Sequence, residues 1–257
     1  MTLADKTTTL LDLHTAPELL KLVNVWDVIS ARVIADVDGT KALATASHSI
    51  AAMYGYEDGE NIPVDLMIET VGRIAAATDL PVSADLEAGY GDPGETTRKA
   101  IGVGIVGANF EDQMKPLAEV VAAVEAVVKA GQAEGIPFVL NARTDAFLVA
   151  GDRPQADVLA DAIERGKAFL DAGAPVVFVP GKLDEPTVTA LVDAFGPQKL
   201  SLIGVPGTLP LSTLEQLGVA RISYGPWSQR VALTALADLA TDVVAGGALP
   251  EGTRPLN

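Results

Sequence analysis

Residues 81–113 read PVSADLEAGYGDPGETTRKAIGVGIVGANFEDQ, and their rhythm decides the fold. A short apolar run, Val82–Ala84, ends in acids at Asp85 and Glu87, and the glycines at 89 and 91 let the chain turn tightly. A helical pattern follows around Thr96–Ile101. A second apolar run, Gly107–Phe110, then ends in another acidic pair, Glu111-Asp112. The stretch is therefore strand, helix, strand, with each strand apolar along its length and acidic at its far end. Near-continuous apolar strands belong to parallel sheets that are covered on both faces.

The same unit recurs in both directions from this stretch. Eight apolar runs rich in Val and Ile stand at Leu22–Val25, Ala42–Ala46, Val82–Ala84, Gly107–Phe110, Phe138–Asn141, Val176–Val179, Leu200–Gly204 and Arg221–Tyr224. Helical patterns separate them. Asp65–Thr78 places Leu66, Ile68, Val71, Ile74 and Ala75 at mostly helical spacing, and Leu117–Ala130 and Ala156–Ala172 read the same way. Gly131, Gly173 and Gly218 follow helical patterns where a left-handed C-cap is needed. Eight strand-then-helix units with no break in composition predict one (β/α)₈ barrel of the TIM type over residues 1–257, with an open doubly wound sheet as the alternative.

Composition narrows the function. No stretch approaches 18 consecutive apolar residues, so no membrane span is expected. The N-terminal MTLADKTTTLLDLH lacks a basic segment followed by an apolar one, so no signal peptide is read there and a cytoplasmic location is expected. The absence of cysteine excludes disulfides, Cys–metal sites and a thiolate nucleophile. A net charge of −16 argues against nucleic acid as a partner. Gly102–Gly107 matches G-x-G-x-x-G, but it follows a helix and leads into a strand, the reverse of a dinucleotide site. No G-x-S-x-G elbow is present. His14, ahead of the barrel, is expected at the surface.

Polar residues gather just past the strands: Asn24 and Asp27, Ser47 and His48, Asp85 and Glu87, Glu111 and Asp112, Arg143 and Asp145. Barrel enzymes build their sites there, because the βα loops converge at that end. Asp85 and Glu87, two apart, share one side of an extended chain, and Glu111 ends the neighbouring strand. Oxygen ligands without His or Cys suit a hard cation, Mg²⁺ or Mn²⁺. The plainer alternative is a set of solvated loop acids near helix N-termini. Arg143 is suited to gripping a substrate carboxylate or stabilising an enolate, and an ion pair with Asp145 or Glu111 is compatible with either.

The segments Asn24–Asp27 (NVWD), Ala44–Glu60 ending in GYEDGE, SADLEAGYGD, Gly107–Gln113 (GANFEDQ) and NARTD, in that order, resemble the isocitrate lyase/phosphoenolpyruvate mutase superfamily from about Leu19 to Trp227. The resemblance implies a barrel whose last helix is exchanged with a neighbouring subunit. It also implies Mg²⁺ and a small α-keto or α-hydroxy acid handled through a pyruvate-enolate-like species. Members cleave C–C bonds, cleave or rearrange P–C bonds, or decarboxylate oxaloacetate. By the same resemblance Asp85 is the direct metal ligand. Glu87, where Asp is usual, reaches the metal through water, and Glu111 is the third acid. Asp58 matches a site aspartate and Arg143 the substrate-contacting arginine. Ser47 lies in the loop that holds the pyruvoyl carboxylate, and Trp26 lines the pocket.

Departures from the superfamily pattern bear on the activity. The lyases carry a loop with a Cys general acid after the fourth strand, whereas here Met114-Lys115-Pro116 leads directly into a helix. Ser201 stands where the lyases place a substrate-binding Asn. His48, in Ala46-Ser47-His48-Ser49, either narrows the pocket or contributes an acid/base group, unless it is a loop histidine with no role. The expected activity is a Mg²⁺-dependent carbon–carbon lyase or decarboxylase for a small 2-oxo or 2-hydroxy carboxylic acid. The alternatives are a phosphonopyruvate-type mutase or hydrolase and a catalytically silent dicarboxylate-binding relative. The C-terminal helix, about 227–245, carries Val231, Leu233, Leu236, Leu239, Val243 and Val244. So broad an apolar surface predicts a homo-oligomer, a tetramer of swapped dimers.

Overall fold

The structure, a computed structural model, describes residues 1–256. In chain order its strands are β1 (Leu20–Leu22), β2 (Asn24–Val25), β3 (Leu43–Thr45), β4 (Val82–Asp85), β5 (Gly107–Glu111), β6 (Val139–Arg143), β7 (Val176–Phe178), β8 (Leu200–Ile203) and β9 (Arg221–Ser223). Every pairing is parallel. β1 and β2 are two pieces of one strand, parted at Val23. The first pairs with β9 and the second with β3, so the ribbon closes on itself. The eight runs read from the sequence are thus the eight staves of a (β/α)₈ barrel. At the seam a side chain takes over from the ladder. Asn24 Nδ2 donates to the Thr45 carbonyl at 2.7 Å, and its Oδ1 accepts from the backbone N–H of Tyr224 at 2.6 Å and of Gly225 at 2.8 Å.

The helices are α1 (Leu3–Thr15), α2 (Val28–Ala35), α3 (Ser47–Met53), α4 (Val64–Ala76), α5 (Pro93–Gly102), α6 (Leu117–Ala133), α7 (Gln155–Asp171), α8 (Glu185–Phe195), α9 (Leu211–Gln216) and α10 (Trp227–Val244). Helical spacing gives α4 one buried face, with Met67, Ile68, Val71, Ile74 and Ala75 enclosed. The main core lies between such faces and the outside of the barrel. A second cluster, with Leu10, Leu20, Leu22, Ala44 and Val139, fills the N-terminal end of the barrel.

α1 supplies the plug for that end. Thr2 and Asp5 close its first turn as a capping box, and Thr7, Leu10 and His14 form its buried stripe. His14 is therefore not a surface residue: it is wholly buried, with Nδ1 bonded to the Leu10 carbonyl at 2.7 Å. Its position one helical turn beyond Leu10 carries it inward. The other end of the chain behaves differently. Gln229 is the only buried residue of α10, whose apolar positions stand clear of their own barrel. No helix among the described residues is long and apolar enough to cross a membrane.

Candidate active site

Strand register sets the site. Asp85 pairs with Asn109 between β4 and β5, Glu111 with Arg143 between β5 and β6, and Arg143 with Phe178 between β6 and β7. Paired residues on parallel neighbours face the same way, so these groups rise together at the C-terminal mouth of the barrel. A cavity of about 340 Å³ opens there, lined by Ser47, His48, Asp58, Asp85, Asn109 and Arg143 and walled by Phe178 and Ile203.

Asp85 is held from two sides. Ser47, the first residue of α3, donates both its backbone N–H, at 3.0 Å, and its hydroxyl, at 2.9 Å, to Asp85 Oδ2. The Asp85 N–H donates to Thr45 Oγ1 at 3.0 Å. The Ser47 hydroxyl also stands 3.4 Å from Asp58 Oδ1, and His48 Nδ1 lies 3.4 Å from Asp58 Oδ2. Arg143 is clamped, with Nη1 2.9 Å from Glu111 Oε2 and Nε 2.7 Å from Asp145 Oδ1. Its guanidinium carbon lies 6.0 Å from the centre of the Phe178 ring. Asp145 is placed in turn by Asp112, whose Oδ1 accepts the Asp145 N–H at 3.0 Å while its Oδ2 meets Arg165 Nη1 at 3.1 Å.

The electrostatics are lopsided. Burial pushes the Glu111 carboxyl up to about 7; Arg143 pulls it down, and the charges of Asp145 and Asp85 push it further up. Burial likewise raises Glu87 to about 7, against the hydrogen bonds from Tyr90 and the Glu60 N–H and together with the charges of Asp58 and Asp85. Burial also raises Asp145. Burial alone would lower Arg143, but Glu111, Asp145 and Asp85 hold its proton more firmly than usual. These strand ends are short of positive charge, and their donors are carboxylate and hydroxyl oxygens. That is the donor chemistry a hard divalent cation satisfies.

The positions read from the sequence separate into two groups. Ser47, His48, Asp58, Asp85 and Arg143 line the one cavity, and Glu111 is bound to Arg143 beside it. Glu87 lies apart. Its backbone is left-handed, with φ of 53°, and its carboxylate accepts from the Tyr90 hydroxyl at 2.9 Å and from the Glu60 N–H. Trp26 packs against the core and does not line the cavity. Ser201 is fully buried within β8, its hydroxyl without a partner among the described residues, while Ile203, two residues on, reaches the cavity. Sequence reasoning gave no role to Asn109, Phe178 or Lys182, all of which line it. Asn109 had a signal: it is an amide inside an otherwise apolar strand. Left-handed non-glycine residues mark the loops of this end, at Glu60, Glu87, Tyr90, Gln113 and Met114. Such backbone strain persists where surrounding structure enforces it, and it concentrates at functional sites.

Comparison with known proteins bears on the fold and the family. Residues 10–244 match the family model described as phosphoenolpyruvate phosphomutase. A solved structure from Burkholderia cenocepacia, described as that of a candidate phosphonomutase, superposes with a TM-score of 0.87 at 40% identity, covering 92% of this chain and 99% of that one. An uncharacterised protein of Mycobacterium tuberculosis is 32% identical, over 93% of this chain and 90% of its own. A Corynebacterium glutamicum protein named "Probable 2-methylisocitrate lyase 2" is 30% identical, over 88% of this chain and 78% of its own. The names oxaloacetate decarboxylase and phosphoenolpyruvate phosphomutase also occur among matching relatives.

Proposed function

Because the chain belongs to the phosphoenolpyruvate phosphomutase family, whose relatives are lyases, mutases and decarboxylases of small carboxylic acids, we propose that it is a Mg²⁺-dependent carbon–carbon lyase or decarboxylase for a small 2-oxo or 2-hydroxy acid. The observation that carries this reading is the pairing of Asp85, fixed by both the N–H and the hydroxyl of Ser47, with an Arg143 clamped by two acids at the same mouth.

Asp85 would hold the cation directly, with Asp58 and Glu111 acting through water. No three acidic or histidine side chains stand together as a ready cage among the described residues, and Mg²⁺ is commonly held by one or two carboxylates and its own waters. When bound, the cation supplies charge neutralisation for an oxygen that becomes negative as a neighbouring bond breaks. The chain's own groups do the rest. Arg143, rigid between Glu111 and Asp145, offers a positive charge that needs no reorganisation when enolate charge develops. Ser47 keeps Asp85 aimed, and the Phe178 and Ile203 wall excludes water from one side of the cavity.

Proton supply favours decarboxylation. β5 ends at Glu111 and α6 begins at Leu117, so the connection Asp112–Pro116 is too short to form a lid. There is also no cysteine to protonate a departing carbanion. In decarboxylation the C–C electron pair passes into the enolate, CO₂ leaves, and solvent protonates the carbon afterwards. The Mg²⁺-loaded protein should therefore turn over oxaloacetate with a higher kcat/KM than 2-methylisocitrate. The reverse order would overturn the reading.

A second reading has its own support: the family model is described as phosphoenolpyruvate phosphomutase and the 40%-identical Burkholderia structure as a candidate phosphonomutase. Conversion of phosphonopyruvate, followed by phosphorus NMR, in preference to both carbon acids would establish it. The exposed apolar residues of α10 support a further reading, that the helix is exchanged between subunits in a tetramer of swapped dimers.

A further inference from the structure

The barrel interior holds a cation that nothing above uses. Arg221, in β9, is 1% exposed and stands in register between Leu20 of β1 and Ser201 of β8. Its Nη1 donates to Ser83 Oγ across the barrel at 3.3 Å, and its Nε and Nη2 have no partner among the described residues. Burying a guanidinium with so little compensation is costly, and an apolar side chain of similar volume packs an interior as well or better. Packing therefore does not account for it.

Placement does. Ser83 and Asp85 are two apart on β4, so both side chains point into the barrel. At a rise of about 3.3 Å per residue, the guanidinium seat on Ser83 lies roughly 7 Å below Asp85. Asp85 is the acid whose charge reaches Arg221. The other titratable group near it, His14 on α1, is neutral, since burial holds its pKa down to about 3. Burial lowers Arg221 only to about 10, so it carries its charge at neutral pH.

We propose that Arg221 is the fixed counter-charge of the site, a positioning residue that places positive potential beneath Asp85, loosening the site's hold on a cation and tightening its hold on an anionic substrate. The inference deepens the function proposed above and rests on Asp85 marking the ligand end of the barrel. Against the site's carboxylates, Asp58, Asp85, Glu87, Glu111 and Asp145, the mouth sets Arg143, paired with two of them, and Lys182, which lines the cavity; acids still outnumber cations among the described residues, and an anion must still approach. A charge below the floor offsets that repulsion without occupying the cavity.

The test uses calorimetric titration of the full chain with Mg²⁺ alone, and then with oxalate at saturating Mg²⁺. A unit charge about 7 Å from a doubly charged ligand, in an effective dielectric of roughly 30, changes affinity on the order of a hundredfold. Arg221→Met should therefore tighten Mg²⁺ and weaken oxalate, each by about that factor. Arg221→Lys, which keeps the charge, should stay within about twofold of the parent for both ligands. A structural defect would weaken both ligands together, so the opposed signs are diagnostic. If Arg221→Met does not fold, Arg221→Gln makes the same comparison. Unchanged affinities in the neutral variant, losses of the same sign, or a lysine variant that behaves like it would each overturn the counter-charge and leave the site reading standing. A parent chain that binds neither Mg²⁺ nor oxalate overturns the site reading, and the counter-charge with it.

Discussion

Asp85 is the side chain on which the proposed chemistry converges, and its role is open to a direct test. A ligand that binds only the folded chain stabilises it by mass action, about 2.7 kcal/mol at 100 times Kd. For a chain of this size that is roughly 5 to 10 °C in Tm. Mg²⁺ should raise the Tm of the parent by that amount and leave Asp85→Ala unmoved; an equal shift in the variant would remove Asp85 from the metal's ligands. His14 gives a second test. In the fold burial holds its pKa to about 3, against about 6.5 when unfolded, so below pH 6.5 the unfolded chain binds the extra proton and stability falls as pH drops. By pH 4.5 the loss should be roughly 2 to 3 kcal/mol. Glu87 and Glu111, raised to about 7, act in the opposite sense: their contribution is full below the ordinary carboxylate pKa and is lost as pH rises through 7. Comparing the parent with His14→Leu by urea unfolding at pH 7 and pH 4.5, without Mg²⁺, isolates the histidine. The variant should lose less on acidification, and equal losses would mean that His14 is not held neutral. At this scale the sequence was legible where backbone geometry is regular. Asp85 and Arg143 end strands, so their facing follows from register. Glu87 lies past the end of β4, and its left-handed backbone breaks the two-residue alternation that would have set it beside Asp85.

The eight strands were legible as elements because each is a short apolar run bounded by helical pattern, and the helices because their buried faces recur at helical spacing. Two features were not. The division of the first strand at Val23 depends on closure, which brings β9 and β3 to its two halves and lets Asn24 bridge them. α1 escaped notice because its buried stripe includes Thr7 and His14, polar residues that a hydrophobic pattern does not register. Two of the three glycines of the rejected G-x-G-x-x-G motif acquire separate structural reasons. Gly104 turns the chain at φ +97°, and Gly107 lets β5 approach its surroundings closely. A Cβ at Gly107 would meet the Val139 carbonyl oxygen at 2.6 Å and Leu10 Cδ2 at 2.9 Å, whereas one at Gly102 meets nothing within 4 Å. Gly107→Ala should therefore destabilise the chain by about 1–3 kcal/mol, since neither the strand backbone nor the α1 plug can move away cheaply. Gly102→Ala, in the last turn of α5, should be neutral or gain up to about 1 kcal/mol. Chemical unfolding of both variants measures the contrast, and equal effects would show that the plug and barrel are not tightly fitted at Gly107.

At the scale of the whole molecule, the two ends of the chain are used in opposite ways. α1 closes the bottom of its own barrel, while α10 leaves the top and buries almost nothing against it. Val231 is 69% exposed, Leu233 54%, Leu236 60% and Val244 88%, values that a lone domain has no reason to present along one helix. Scattered surface apolar residues are ordinary, but these follow one another along a single element and continue from Trp227, whose ring lies 4.9 Å from the Arg230 guanidinium carbon. The groove beside the start of α10, formed by Pro206, Leu209, Leu211, Tyr224 and Val231, is apolar as well. A second copy of the chain would satisfy both surfaces at once, because two-fold symmetry would present each helix to the other's barrel and close the assembly. The chain should run as an oligomer in light scattering at micromolar concentration. Leu233→Glu combined with Leu236→Glu would put two charges into such an interface, and desolvating them is costly enough to shift the protein to a smaller species. Neither position is buried within one chain, so the substitution should leave the far-ultraviolet circular dichroism unchanged. A parent chain that scatters as a monomer, or a doubly substituted chain of unaltered size, would show that α10 is not the joint between subunits.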